Sequence, residues 1–176
     1  NPEEFYRFYR DKMLYPKAKP NAAHLKLAQW EEQGKLRAVI TQNIDGLHQM
    51  AGSRRVYELH GSVHRNRCMK CGKFYGLETI LSTQGVPRCE CGGMIKPEVV
   101  LYEEALDQSV IEQAVNALME ADLLMVGGTS LNVYPAAGLL RYFSGEHLVV
   151  LNKTPTSADR RASLVIQEPI AEVLGS

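Results

Sequence analysis

The four cysteines of this 176-residue chain all fall within residues 68–91, as the pairs "CMKC" and "CEC". Thiols gathered this way either form a disulfide framework or hold a metal. Disulfides staple small secreted domains that lack a core. Here 45% of the residues are hydrophobic, no secretory signal is read, and the expected compartment is the cytoplasm. A metal site is therefore favoured. Cys68 and Cys71 have the two-residue spacing of a tight knuckle, and the 17 residues separating Cys71 from Cys89 lie within the zinc-ribbon range. Cys89 and Cys91 are separated by one residue where a knuckle normally has two, and Gly92-Gly93 immediately afterwards can relax that turn. Four thiolates around one tetrahedral zinc leave no position for water or substrate, so the predicted role of Cys68, Cys71, Cys89 and Cys91 is structural.

Around that segment the pattern is strand alternating with helix. Helices are expected over "PEEFYRFYRDKML", from an Asn21 N-cap to Gly34, over "DQSVIEQAVNALMEA", over "YPAAGLLRYFS" with its proline near the first turn, and over "PIAEVL". Strands are expected over "KLRAVITQ", over "VYELHGS" ending at Gly61, and over "KPEVVLY", "DLLMVGG", "HLVVLNK" and "SLVI". The predicted fold is α/β: a Rossmann-like parallel sheet covered on both faces, from residues 1–61 and 96–176, with residues 62–95 inserted as a small, turn-rich zinc-ribbon module. Lys+Arg and Asp+Glu are equal at 20 each, so no net field draws the chain to nucleic acid or to an anionic membrane. No apolar run reaches the roughly 18 residues of a membrane span.

Three further stretches carry chemistry. "TQNIDGLHQMAG" places Gln42, Asn43, Asp45 and His48 directly behind an apolar strand. "LLMVGGTS" ends a buried strand in glycines and hydroxyls, and "VVLNKT" repeats polar residues at the next strand end. Open α/β sheets hold phosphate or ribose at such carboxyl ends, although the full G-x-G-x-x-G fingerprint is absent and a plain tight turn also uses glycine. "ELHG" sets His60 at a strand end, and imidazole is the side chain suited to moving a proton near neutral pH. His24, His48, His64 and His147 are expected to be structural or exposed.

Taken in order, "TQNIDGLHQMAG", "ELHGS", the four-cysteine ribbon, "KPEVVLY", "GGTSLNVYPAAGL" and "LNKTPT" resemble the sirtuins, the NAD-dependent protein lysine deacylases, from about residue 37 onward. The resemblance implies that Gln42, Asn43 and Asp45 contact NAD with Ile44 packing beside them. Asp45 takes the nicotinamide carboxamide, and Asn43 positions ribose and an ordered water. It implies His60 as general base, and Gly128, Thr129 and Ser130 at the phosphate and adenosine-ribose end. Asn152, Lys153 and Thr154 are implied at the adenosine ribose, with Ile170 holding adenine through its backbone. An acyl-lysine peptide is implied as an added strand along Val99 and Val100, near Tyr102. The implied reaction gives free lysine, nicotinamide and an acyl-ADP-ribose. The alternatives are a non-catalytic NAD- or ADP-ribose-binding zinc module and ADP-ribosyl transfer through the same pocket.

The sequence departs from the family in two places. The family's "GAGxS" loop and "PDFR" segment are absent, which implies a weakened phosphate site. Glu103 stands where the family more often has glycine, at the end of the peptide-pairing strand. Tyr6, Tyr9 and Arg10 in "FYRFYR" are possible counterparts of the Tyr and Arg that select acidic acyl chains in some relatives; the alternative is a core-packed helix face with solvated arginines.

Overall fold

A computed structural model describes residues 1–134 and 136–176, with only the backbone of Ala136. The elements in chain order are α1 (Pro2–Phe8) continuing into a π-helical turn (Tyr9–Met13), α2 (Ala22–Glu32), β1 (Val39–Thr41), α3 (Leu47–Met50) and β2 (Val56–Glu58). There follow β3 (Gly61–Cys68), β4 (Phe74–Tyr75), α4 (Leu77–Ser82), β5 (Ile95–Val99), α5 (Gln108–Met119) and β6 (Leu123–Gly127). The last are α6 (Ala136–Leu139) with a 3-10 turn (Leu140–Tyr142), β7 (His147–Leu151), a 3-10 turn (Asp159–Arg161), β8 (Leu164–Ile166) and α7 (Ile170–Gly175). The chain forms two compact units: Asn1–Ala18, Asn43–Gly46 and His60–Ala105 make the first, and Lys19–Gln42, Leu47–Leu59 and Leu106–Ser176 the second. The first unit contains the whole 62–95 segment together with the N-terminal helix and the strand after the cysteines.

In the second unit all strand pairing is parallel, β1 with β2 and β6 with β7 with β8. Along β7 the side chains alternate between two cores. Leu148 and Val150 join Val126, Leu139, Phe143 and the Ala114–Leu118 face of α5. Val149 and Leu151 join Ala23 of α2, Leu174 of α7, Met125 and Ile166. Period-two alternation into an apolar layer on each side is what a parallel sheet covered on both faces requires. The helix starts are chemically defined. The Asn21 side chain accepts from the N–H groups of Ala23 and His24 while His24 Nδ1 accepts from the Asn21 N–H (3.1 Å), a reciprocal cap. Asp107 caps α5 by accepting from Ser109 N–H at 2.8 Å.

The first unit is an antiparallel sheet in the order β4-β3-β5 around Tyr6, Tyr9, Val63, Ile80, Ile95 and Val99. The expected strand ending at Gly61 is in fact two elements: β2 stops at Glu58, and Gly61 opens the eight-residue β3 that enters the cysteine segment. Gly61 makes the change of direction, with φ +76° and its α-carbon against the Glu98 carbonyl oxygen, where a β-carbon would collide. The strand over "KPEVVLY" is shorter than expected and closes at Val99. Beyond it the Leu101 N–H donates to the Glu104 carboxylate (3.0 Å), which leaves strand pairing for a turn. The helix over "YPAAGLLRYFS" tightens into the 3-10 turn at Leu140, and its expected proline, Pro135, lies outside the described residues.

Gly61→Ala is expected to cost more than about 2 kcal/mol, because it adds a backbone collision to left-handed strain. Gly85→Ala, at φ +72° with open space around it, carries only the left-handed cost of about 1–2 kcal/mol. Urea unfolding of both variants checks this, and equal losses would contradict it.

Candidate functional site

The cysteine cluster is the most sharply defined group. The four sulfur atoms all lie within 4.8 Å of one another, with Cys68 to Cys91 at 3.4 Å and Cys71 to Cys89 at 3.6 Å. A tetrahedron of ~2.3 Å zinc–sulfur bonds has edges of about 3.8 Å, so the cluster has the size that one ion requires. The irregular second pair is accommodated by its glycines. Gly92 adopts φ +80°, and a β-carbon on Gly93 would lie 2.6 Å from the Cys68 sulfur. The knuckles are closed by Gly72 N–H to Cys68 O (2.9 Å) and Cys89 N–H to Gly93 O (2.8 Å). The Tyr75 hydroxyl donates to the Cys89 sulfur (3.0 Å) and pushes that thiol down to about 6, toward the thiolate a metal needs. With all four cysteines in the ligand set, the ion has no open position and acts as a staple.

The remaining expected residues fall into one set per unit. In the second unit, Gly127 of β6 pairs with Leu151 of β7, and Leu151 with Ile166 of β8, so the carboxyl ends of three parallel strands lie side by side. Gly128 N–H donates to Leu151 O (3.1 Å) and Asn152 N–H to Ile166 O (3.1 Å), which carries the row on into the loops. Gly128, Thr129, Ser130, Asn152, Lys153 and Thr154 all leave from this edge. The two glycines have different tasks. A β-carbon on Gly127 would meet the δ-methyl of Ile170, so Gly127 lets the start of α7 pack down. Gly128 has φ +62° and nothing within 4 Å of where a β-carbon would stand, which leaves its backbone unobstructed. Thr129 Oγ1 accepts from Leu131 N–H (3.2 Å) and from Gln42 Nε2 (3.3 Å). That bond brings the end of β1 to the same loop. Asn152 Nδ2 donates to Thr154 O (2.8 Å) and fixes the loop after β7.

In the first unit, β3 gathers the other set. Val63 N–H donates to Ile44 O (3.0 Å), His64 Nε2 to Asp45 O (2.9 Å), and Val100 N–H to His60 O (3.0 Å). Asn43 is exposed, and Ile44, Asp45 and His60 are half-buried. Val99 is buried in the core, Val100 is half-buried, and Tyr102 is fully exposed in the turn after β5.

Two residues have tasks that the sequence did not specify. His64, expected to be structural or exposed, is structural: it supports the loop that carries Asp45, and its ring stands 2.7 Å from where a β-carbon on Gly46 would lie. Leu131 is buried with φ +55°, held by the Thr129 hydroxyl. No local signal marks it, since leucine seldom occupies that conformation.

Of the two readings of "FYRFYR", the core-packed helix face holds for both tyrosines, whereas Arg10 is bonded within the protein rather than solvated. Tyr6 and Tyr9 are core residues, 1% and 0% exposed, and the Tyr6 hydroxyl donates to the Ile95 carbonyl. Arg10 spends its guanidinium on the carbonyls of Ile80 (2.8 Å), Gly85 (2.7 Å) and Tyr6 (3.4 Å). None of the three is left to read an acidic acyl chain.

The Sir2 family model matches residues 1–135. The chain belongs to the Sir2 family. Among proteins similar to this sirtuin are the NAD-dependent protein deacetylases of Clostridium acetobutylicum, 60% identical over 98% of this chain and 71% of that protein, and of Cutibacterium acnes, 56% identical over 100% and 72%. Solved structures give the same family. A Sir2 bound to an acetylated peptide is 42% identical with a TM-score of 0.90, covering 98% of this chain and 76% of that one. A Sir2 with a p53 peptide and NAD+ is 42% identical with a TM-score of 0.88, covering 98% and 75%. The chain spans 71–72% of the length of those two deacetylases.

Metal analysis of this sirtuin is expected to find one zinc per chain, with the four thiols protected from alkylation until a chelator is added. Cys68→Ser should lose the metal and lower the melting temperature. Four freely reactive thiols in native protein would contradict the assignment.

Proposed function

We propose that this sirtuin removes acetyl groups from protein lysines with NAD as co-substrate, in the cytoplasm. The observation that supports this best is the row of strand ends, Gly127-Gly128, Leu151-Asn152 and Ile166, at the carboxyl edge of one parallel sheet, with Gln42 bonded into it. Ligands of open α/β sheets bind at that edge. No helix of the described residues is long and apolar enough to cross a membrane.

NAD supplies an activated ribose carbon from which nicotinamide departs. The chain's own residues then have distinct tasks. Gly128 offers unencumbered backbone, and Thr129 and Ser130 offer hydroxyls to the phosphate and ribose end. Thr129 accepts two hydrogen bonds within the protein, so its own proton is directed outward as a donor. Asn152, Lys153 and Thr154 bind the adenosine ribose, and the backbone at Ile170 takes adenine. Gln42, Asn43, Ile44 and Asp45 receive the nicotinamide half, with Asn43 orienting the ribose and a water. His60 takes a proton from a ribose hydroxyl as that oxygen moves toward the acyl group. Val99, Val100 and Tyr102 receive the acyl-lysine peptide at the free edge of β5, opposite the edge that β3 occupies. The zinc does no chemistry. With its guanidinium committed to three carbonyls, Arg10 is not available to pair with an acidic acyl chain, and neutral acyl groups are the expected substrates.

His60→Ala is expected to lower kcat for an acetyl-lysine peptide by about 100-fold or more, the scale of a lost general base, with peptide KM and zinc content unchanged. Undiminished turnover in that variant would remove His60 from the mechanism. A matching loss of zinc or of fold would show a structural role instead.

A further inference from the structure

Strand β5 is the free edge of the antiparallel sheet, and the turn at its end is unusual. Residues 101–104 form a tight turn in which Glu104 N–H donates to Leu101 O (3.1 Å). The Glu104 carboxylate accepts from Leu101 N–H (3.0 Å) and pairs with Lys96 at 3.0 Å, which holds it below the usual carboxylate range. Backbone pairing with an added strand therefore stops at Leu101, whose N–H is already taken. The turn places Glu103 at φ +68°, one of two non-glycine residues in the left-handed region among those described. A glycine would adopt that backbone without strain, so a side chain there costs about 1–2 kcal/mol.

The carboxylates along this edge are not equivalent. Glu98 is paired with both Arg65 and Arg67, and Glu104 with Lys96. Glu103 is exposed and has no cation partner among the described residues. The preceding residue, Tyr102, is fully exposed. An exposed carboxylate without a cation partner and an exposed aromatic ring on adjacent residues, at the point where a bound strand leaves the sheet edge, offer a site for a guanidinium or ammonium.

We infer that Tyr102 and Glu103 read a basic residue flanking the acyl-lysine, so that the preferred substrates are acylated sites in Lys- or Arg-rich segments. This rests on the deacetylase reading and on β5 as the peptide edge. An exposed ion pair changes affinity modestly and is screened by salt, so the expected preference is about two- to five-fold at low ionic strength, shrinking as salt is added.

The test uses three acetyl-lysine peptides that differ only in carrying Arg, Gln or Glu beside the acetyl-lysine. Each is measured for binding by fluorescence anisotropy and for deacetylation. The comparison is wild type, Glu103→Gln, which keeps the backbone and removes the charge, and Glu172→Gln, an exposed carboxylate on α7. The inference expects the Arg peptide to bind two- to five-fold more tightly than the Glu peptide in wild type and Glu172→Gln, with the difference gone in Glu103→Gln. A preference that survives Glu103→Gln, or is absent from wild type, overturns it. If the charge preference is seen in binding but no peptide is deacetylated, Glu103 stands and the enzymatic reading fails. Deacetylation with no preference does the reverse, and no binding of any peptide overturns both.

Discussion

The approach of Gly61 to the Glu98 carbonyl leaves no volume for a side chain on residue 61, and much of the first unit depends on that contact. It sets the register in which Gly61 faces Val99, so the His60 carbonyl meets the Val100 N–H, and β5 is an edge strand of its sheet. The same strand continues through Val63 and His64, which hold the carbonyls of Ile44 and Asp45, and ends at Cys68 in the metal cluster. One eight-residue strand thus supports a candidate base, a candidate nicotinamide loop and a metal knuckle. A side chain at residue 61 would push these apart together, which is why a site residue and a stability residue sit next to each other in "ELHG".

The first unit is too small to rely on apolar burial alone. Its core is built around two tyrosines, and two of its buried members, Cys68 and Cys89, are also metal ligands. Metal binding in such a unit is coupled to folding free energy, because the thiolates are brought together only in the folded chain. The second unit needs no such staple. Its parallel strands are covered on both faces by α5 with Phe143 and by α2 with α7, and its polar residues are released only where the strands end. The two units differ physically: one ends its parallel strands in exposed backbone and hydroxyls, and the other is an antiparallel sheet stapled by a metal cluster, with β5 as an edge strand.

Much of this was legible in the sequence because the informative residues obey short-range rules. Asn21 and Asp107 mark helix starts by their capping chemistry, Gly128 marks a left-handed turn, and the cysteine spacing marks a knuckle. The irregular "CEC" was legible as well, since Gly92 and Gly93 stand beside it. What could not be read depends on contacts distant in sequence. Gly61 looked like a strand terminus because the carbonyl it faces is 37 positions away. Arg10 looked like a possible ligand reader because the carbonyls of Ile80 and Gly85 that consume it lie far along the chain. His64 and Leu131 carry no local mark at all: one supports a loop through its ring nitrogen, the other sits in a conformation its residue type seldom takes.

The central claim is that one chain transfers an acyl group from lysine to the ribose of NAD. The most direct test is the stoichiometry of products from an acetyl-lysine peptide and NAD, followed by mass spectrometry. The account predicts nicotinamide, free-lysine peptide and acetyl-ADP-ribose appearing in equal amounts, with no free acetate at early times. Free acetate without nicotinamide, or ADP-ribose attached to the protein or peptide in place of acetyl-ADP-ribose, would contradict it.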